Sequence, residues 1–169
     1  VTPAKLVLTV SPYATETGGD SILTYKLTDA MNIATQIAIR ADASSIVTST
    51  NVEVAGTNID RDEKLTGVRW SPEPATVAFS YKQAQGGGSR TVYIENFFSI
   101  GFKLELIPEY KLGGVAVDNS SNDLYLGNIW NALVPFITSG QPILLRPNDA
   151  DLEPKWAASG GTIESTRRG

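Results

Sequence analysis

The sequence predicts a mixed fold, α/β at its two ends and α+β between them. Three observations predict it. A nearly continuous apolar run opens the chain, an amphipathic helix followed by short strands fills the middle, and a strand–helix rhythm returns after residue 91.

The opening run is Lys5-Leu6-Val7-Leu8-Thr9-Val10. It is rich in β-branched residues and apolar at successive positions, which suits a strand buried on both faces, as in a parallel sheet. Ser11-Pro12-Tyr13 ends it, because proline has no N–H to give to a ladder. Thr15 to Asp20, with Gly18-Gly19, reads as a loop. From about Lys26 to Arg40, Ala30, Ile33, Ala34, Ile37 and Ala38 recur at the spacing of one helix face. Asp42 to Thr50 carries Ser, Thr and Asp, which favour turns and strand ends. Val52 and Val54, then Thr66-Gly67-Val68-Arg69-Trp70, then Ala75 to Tyr81, read as short strands. Gly86-Gly87-Gly88-Ser89 is permissive enough to join Phe79-Ser80-Tyr81 to Thr91-Val92-Tyr93 as a hairpin.

The final third opens on Val92-Tyr93-Ile94, a strand, with Asn96 as the N-cap of a helix from Phe97 to about Tyr110. Its apolar face is Phe97, Ile100, Leu104 and Ile107; Pro108 should kink it and Gly113-Gly114 stop it. Val115-Ala116-Val117 is the next buried strand, and Asp118 to Asp123 a turn. A short helix then places Leu126, Ile129, Trp130 and Leu133 on one side and halts at Pro135. Beyond Ser139 the chain is polar and proline-rich apart from Ile143-Leu144-Leu145 and Trp156, and reads as an extension or linker. No repeat of fixed period is present.

Composition narrows the chemistry. Of 169 residues, 41% are apolar and 19% charged, the balance of a globular domain. The net charge of −4 with scattered basic residues argues against nucleic acid as a partner, and no apolar run approaches the roughly 20 residues of a membrane span. Val1 in place of Met, with no basic, apolar leader after it, leads us to expect that the chain begins inside a longer protein. With no Cys and no His, thiolate chemistry, serine-type triads and imidazole metal sites are excluded. Acid–base work would fall to carboxylates, Tyr or Lys. No cofactor or metal is expected. Asp118 to Asp123 lacks the residue order of a calcium loop, and Gly86-Gly87-Gly88 has no phosphate-loop context. Asp60-Arg61-Asp62-Glu63-Lys64 reads as a solvated loop. Trp70, Phe79 and Tyr81 either line a binding face or pack a core.

Three segments, taken in order, resemble glycoside hydrolase family 18, the chitinase-like barrels, especially the bacterial spore and cell-wall type. Pro3 through Tyr13 looks like the family's sixth barrel strand, which ends in a Pro and a Tyr facing the cleft. Val92-Tyr93-Ile94-Glu95-Asn96, with Ser99-Ile100 and Lys103 after it, is similar to strand seven and its helix. Tyr110-Lys111-Leu112-Gly113-Gly114-Val115-Ala116-Val117 is similar to the approach to strand eight. The stretch between resembles an α+β domain that family members insert. The resemblance covers residues 3 to 137. It implies C-terminal β/α units of an incomplete TIM-type barrel, three in number, plus that inserted domain. The bounds would be 1–14 for a barrel-type strand, 15–90 for the insert, 91–138 for two β/α units and 139–169 for a C-terminal extension.

Two departures shape the functional expectation. The family's proton donor sits in an Asp-x-x-Asp-x-Asp-x-Glu motif, and no such motif occurs in this chain. Where the resemblance expects a Trp as the floor beneath the reacting sugar, the chain has Asp118, which offers no stacking face. No catalytic residue is therefore assigned. The substrate-binding candidates are Tyr13, Glu95, Asn96 and Asp118, and three of them have a bland reading beside the functional one: Tyr13 as a strand-end cover, Asn96 as a helix cap, Asp118 as turn chemistry. The resemblance implies a polysaccharide of the chitin or peptidoglycan type as ligand, at the cell envelope or outside the cell. The chain would be either the C-terminal region of such a hydrolase or a non-catalytic carbohydrate-binding module descended from one. Three strands of a barrel would leave apolar surface bare at a cost of roughly 25 cal/mol per Å², so the missing N-terminal part of the parent, or self-association, is expected as a partner.

Overall fold

The structure, a computed structural model, describes residues 1–39, 44–48, 53–58, 67–71, 73–84, 86–123 and 129–142. The charge run at 60–64, Leu126, Ile143 to Leu145 and the terminal stretch from 143 lie outside the described residues, as do the side chains of β4, β5 and residues 68–70 of β6, Trp70 included. The strands are β1 (Val7–Val10), β2 (Tyr13–Thr17), β3 (Leu23–Lys26), β4 (Ser44–Thr48), β5 (Glu53–Asn58), β6 (Val68–Ser71), β7 (Thr76–Gln83), β8 (Ser89–Ile94) and β9 (Gly114–Val117). The helices are α1 (Leu27–Ile33), continued by a π-helical stretch over Ala34–Ile39, then α2 (Phe97–Leu104), α3 (Leu106–Tyr110) and α4 (Trp130–Ser139).

Two sheets result. β1 and β9 form a parallel pair, Val7 opposite Gly114 through Val10 opposite Val117. The other strands form an antiparallel sheet in the order β3-β2-β8-β7-β5-β4, and β6 also pairs with β7. Pro12 is the pivot between them: β1 ends at Val10, and Tyr13 already belongs to the second sheet. Thr15 to Thr17 is thus strand rather than loop, and the turn falls on Gly18 and Gly19. Gly18 has φ 117°, and a Cβ there would lie 2.3 Å from the Ser89 carbonyl oxygen, so only glycine fits.

Val92-Tyr93-Ile94 forms the hairpin with β7 that the glycine turn predicts and so lies in the antiparallel sheet, not in the parallel one that the family resemblance implies. It is held between β2 and β7, Ala14 and Val77 both facing Ile94. The reason is local. The Gly86–Gly88 turn folds β8 back on β7, giving a ladder from Val77–Ile94 to Lys82–Ser89 at little loop-closure cost. Val92 and Ile94 then bury their side chains with Val77, Phe79 and the inward stripe of the first helix: Leu27, Ala30, Met31, Ile33, Ala34 and Ile37. Among the described residues the parallel sheet therefore has two strands, not three.

The later helices bear out the apolar spacing and correct its ends. Phe97, Ile100, Leu104 and Ile107 are buried as the periodicity requires. The expected kink appears as a break at Glu105 between α2 and α3, because Pro108 cannot donate to the Leu104 carbonyl. Lys111, not the glycine pair, ends α3. It takes the left-handed conformation (φ 54°), while Leu112 N–H returns to Ile107 O at 2.9 Å and Lys111 N–H to Pro108 O at 3.4 Å, a Schellman closure. Gly113 serves a different need: a Cβ there would lie 2.4 Å from the Ala4 carbonyl oxygen. α4 does not stop at Pro135 but runs to Ser139, since Leu133 and Phe136 on either side of the proline are buried. Trp130 faces outward with Val134 and Ile137, while Ile129, Ala132, Leu133 and Phe136 form the inward stripe.

A polar clamp unannounced by the sequence ties the antiparallel sheet together. Glu16 on β2 is 1% exposed; its Oε2 accepts from Tyr81 Oη at 2.6 Å and Tyr25 Oη at 3.0 Å. Its Oε1 receives no hydrogen bond and faces Arg90 Nη1 at 3.8 Å, while Arg90 also binds the Gly18 carbonyl and Gln83. β2, β3, β7 and β8 each supply one member. Burial, reinforced by the Glu16 carboxylate, pushes both phenols well above the ordinary tyrosine range, so they stay protonated donors.

Removing one donor leaves a buried carboxylate undersatisfied. Tyr81→Phe is expected to cost about 1.5–3 kcal/mol in urea unfolding. A phenol whose folded pKa is raised keeps its full stabilising effect below the unfolded value and loses it above. Stability should therefore fall as pH rises past about 10, and less steeply in Tyr81→Phe than in the unaltered chain.

Candidate functional site

The parallel pairing brings two chain segments together at the C-terminal ends of β1 and β9. Asp118 N–H continues the ladder by donating to Val10 O at 2.9 Å. On the first segment, Tyr13 N–H donates to Ser11 O at 2.9 Å, a tight turn around Pro12 that brings the Tyr13 side chain back over the strand end. On the second, Asn119 takes the left-handed conformation (φ 50°, ψ 53°), which asparagine tolerates, and opens a short 3-10 turn, Ser120–Asn122.

These backbone choices set the side chains against each other. Asn119 Nδ2 donates to Tyr13 Oη at 2.9 Å across a separation of 106 positions. Ser11 Oγ lies 3.4 Å from Asp118 Oδ2, at the long limit of a hydrogen bond. Tyr13 and Ser11 are half-buried, Asp118 and Asn119 exposed. The result is a polar rim of a phenol, a carboxylate, an amide and a hydroxyl. It can exchange several hydrogen bonds with a polyhydroxyl ligand.

The other two candidates sit beside this rim but turn elsewhere. Glu95 N–H donates to Tyr13 O at 3.2 Å, so its backbone adjoins the site. Its carboxylate, however, accepts from Ser99 Oγ at 2.7 Å and pairs with Lys103 on α2. Asn96 is fully buried and caps α2. Its Oδ1 accepts from Phe98 N–H at 2.9 Å and Ser99 N–H at 3.2 Å, and Ser99 Oγ accepts from Asn96 N–H at 2.9 Å, a reciprocal capping box. The structure thus brings Tyr13 and Asp118 together with Ser11 and Asn119, while Glu95 and Asn96 direct their side chains to α2. Ser11 was legible only as the end of a strand, and Asn119 only as a turn residue; nothing local in either predicts a partner about a hundred residues away.

Phe79 and Tyr81, weighed as members of a binding face, are fully buried in the core. Among the described residues no group of three or more Asp and Glu side chains gathers to hold a metal ion, and no helix is long and apolar enough to cross a membrane.

No family model matches the chain, and no curated protein matches it. The solved structures similar to it are chitinase and spore cortex-lytic enzyme chains. A chitinase from Chromobacterium violaceum ATCC 12472 is 24% identical over 69% of this chain and 28% of its own, with a TM-score of 0.35. The C-terminal domain of a Desulfitobacterium hafniense DCB-2 protein described as a chitinase is 18% identical over 81% of this chain and 35% of its own, with a TM-score of 0.42. The Bacillus cereus spore cortex-lytic enzyme SleL is 17% identical over 78% of this chain and 25% of its own, with a TM-score of 0.41. The chain thus spans between 25% and 35% of the length of these proteins.

A cap differs from a ligand contact in what its loss does. Asn96→Ala is expected to lower the urea midpoint by the equivalent of about 0.5–2 kcal/mol. A urea midpoint that does not move in the variant would contradict the capping role.

Proposed function

We propose that this chain is the C-terminal region of a chitinase-like glycoside hydrolase, of the family 18 type, acting on N-acetylglucosamine-containing polymers at the cell envelope or outside the cell. In this reading it supplies a wall of the cleft and not the proton donor. The observation that carries the reading is the meeting of Tyr13 with Asn119, and of Ser11 with Asp118, at the C-terminal ends of two parallel strands. In barrel enzymes that end of the sheet is where ligands are handled. Support comes also from the two family-like segments that pair as parallel strands, β1 and β9, and from the bare surface of that unit. Val7 is 54% exposed and Ile137 67%, apolar area that further polypeptide of the parent would cover.

The chemistry within the chain fits a binding wall better than a cleaving one. Glycosidases need a proton donor held at the leaving oxygen. Of the site's carboxylates, Asp118 stands exposed at the strand end and Glu95 is engaged by Ser99 and Lys103 on α2, so neither is held in an enclosed position against a leaving oxygen. A second reading, a non-catalytic carbohydrate- or envelope-binding module, is favoured by one observation: Asp118 stands at the strand end where a stacking ring is expected.

Both readings place sugar contacts at Tyr13 and Asp118. The purified chain should be retained on insoluble chitin or peptidoglycan, and Tyr13→Phe and Asp118→Asn should each weaken retention by about 3- to 10-fold, one hydrogen bond's worth. It should release no product from a chito-oligosaccharide. No retention of a folded chain would remove both sugar readings, and unaided turnover lost on changing one of its own carboxylates would remove the division of labour.

A further inference from the structure

The rim carries a built-in polarity. Tyr13 Oη accepts from Asn119 Nδ2, and among the described residues it donates to none. Asp118 Oδ2 accepts from Ser11 Oγ, so the carboxylate takes part in the rim as an acceptor. We propose that Asn119 is a positioning residue for Tyr13: its amide occupies a lone pair of the phenol and leaves the phenol proton aimed outward, for a ligand oxygen. The proposal rests on the carbohydrate reading for the identity of the ligand, but not for the arrangement itself.

The backbone explains why asparagine does this. At φ 50° and ψ 53° few residues are comfortable, and asparagine combines tolerance of that conformation with an amide short enough to reach Tyr13. Tyr13 starts β2 and Asn119 follows β9, so the bond also latches the antiparallel sheet to the end of the parallel pair. With the phenol turned into a donor and Asp118 an acceptor, the rim selects a ligand that offers one oxygen lone pair and one O–H side by side, as adjacent hydroxyls of a sugar do. A ligand with acceptors alone would meet Asp118 unfavourably, because a carboxylate facing an oxygen lone pair gains no bond and loses water.

The test separates the arrangement from the ligand. Tyrosine ring vibrations form a Raman doublet whose intensity ratio reports whether the phenol donates or accepts, and subtracting the spectrum of Tyr13→Phe isolates residue 13. The unaltered chain, whose phenol accepts from Asn119 and gives its outward proton to solvent, should give the intermediate ratio of a phenol that both accepts and donates. Asn119→Asp, which keeps shape and left-handed tolerance but replaces the amide donor by an acceptor, should move the ratio toward the donor type. A donor-type ratio in the unaltered chain, or no difference between the two, overturns the proposal whether or not any sugar binds.

The second arm titrates N-acetylglucosamine tetramer calorimetrically. Asn119→Gly removes the amide without adding charge and should weaken binding about 3- to 10-fold. Asn119→Asp should weaken it to the level of Tyr13→Phe, and the double variant Asn119→Asp/Tyr13→Phe should be no weaker than either single, since each removes the same outward proton. Additive losses overturn the positioning role. Absence of binding by the unaltered chain, with the expected Raman ratios, refutes the sugar reading and leaves the arrangement standing.

Discussion

The rest of the molecule is organised by one backbone ladder, the parallel pairing of Val7–Val10 with Gly114–Val117. Two segments more than a hundred positions apart are locked side by side, and both end at the same level. Everything at the rim follows from that. Asp118 closes the ladder on Val10, and Tyr13, turned back after Pro12, meets the side chain of the left-handed Asn119 across the gap. The turn before β1 comes so close to the start of β9 that Gly113 has no room for a Cβ against the Ala4 carbonyl, which gives that glycine a steric cause.

The polypeptide between these strands leaves and returns at one point. Tyr13 begins β2 and Glu95 follows β8, and Glu95 N–H donates to Tyr13 O at 3.2 Å. A segment whose ends are adjacent can be a large excursion without disturbing the ladder that carries it. Its own cohesion comes from burial of the first helix on the sheet and from Glu16, whose carboxylate gathers Tyr25, Tyr81 and Arg90 from three other strands. A buried carboxylate is costly unless satisfied, which makes this clamp a test of strand register: a one-residue slip of β2 would turn Glu16 to the opposite face.

Local patterns were readable in the sequence wherever one element met one core. The spacing of Ala30, Ile33, Ala34 and Ile37, the stripe Phe97, Ile100, Leu104 and Ile107, and the glycine turn before β8 all appear as expected. What failed was choice between partners. Val92-Tyr93-Ile94 carries two expectations, a hairpin partner of β7 and a barrel strand, and only the hairpin is realised, because the glycine turn brings β8 back on β7. Thr15 to Thr17 looked like a loop because threonine and glutamate are polar, yet their alternation buries Ala14 and Glu16 together. Trp130 was placed inside by its type and lies outside by its phase. The site was half legible. Tyr13 and Asp118 stand out as strand-end polar residues, whereas Asn119 owes its role to a contact that sequence separation hides, and Asn96 speaks only of the helix it caps.

The central claim is that β1 lies directly against β9, and it can be measured with little background, because the chain has no cysteine of its own. Thr9 and Ala116 are exposed partners in the ladder. Adjacent strands are separated by about 4.8 Å and next-nearest ones by about 10 Å, beyond the reach of a disulfide. On mild oxidation, Thr9→Cys/Ala116→Cys should cross-link within one chain, read by mass spectrometry, and Thr9→Cys/Tyr93→Cys should not. The reverse outcome, a bond to position 93 and none to 116, would put β8 between the two strands and contradict the account of how the rim is assembled.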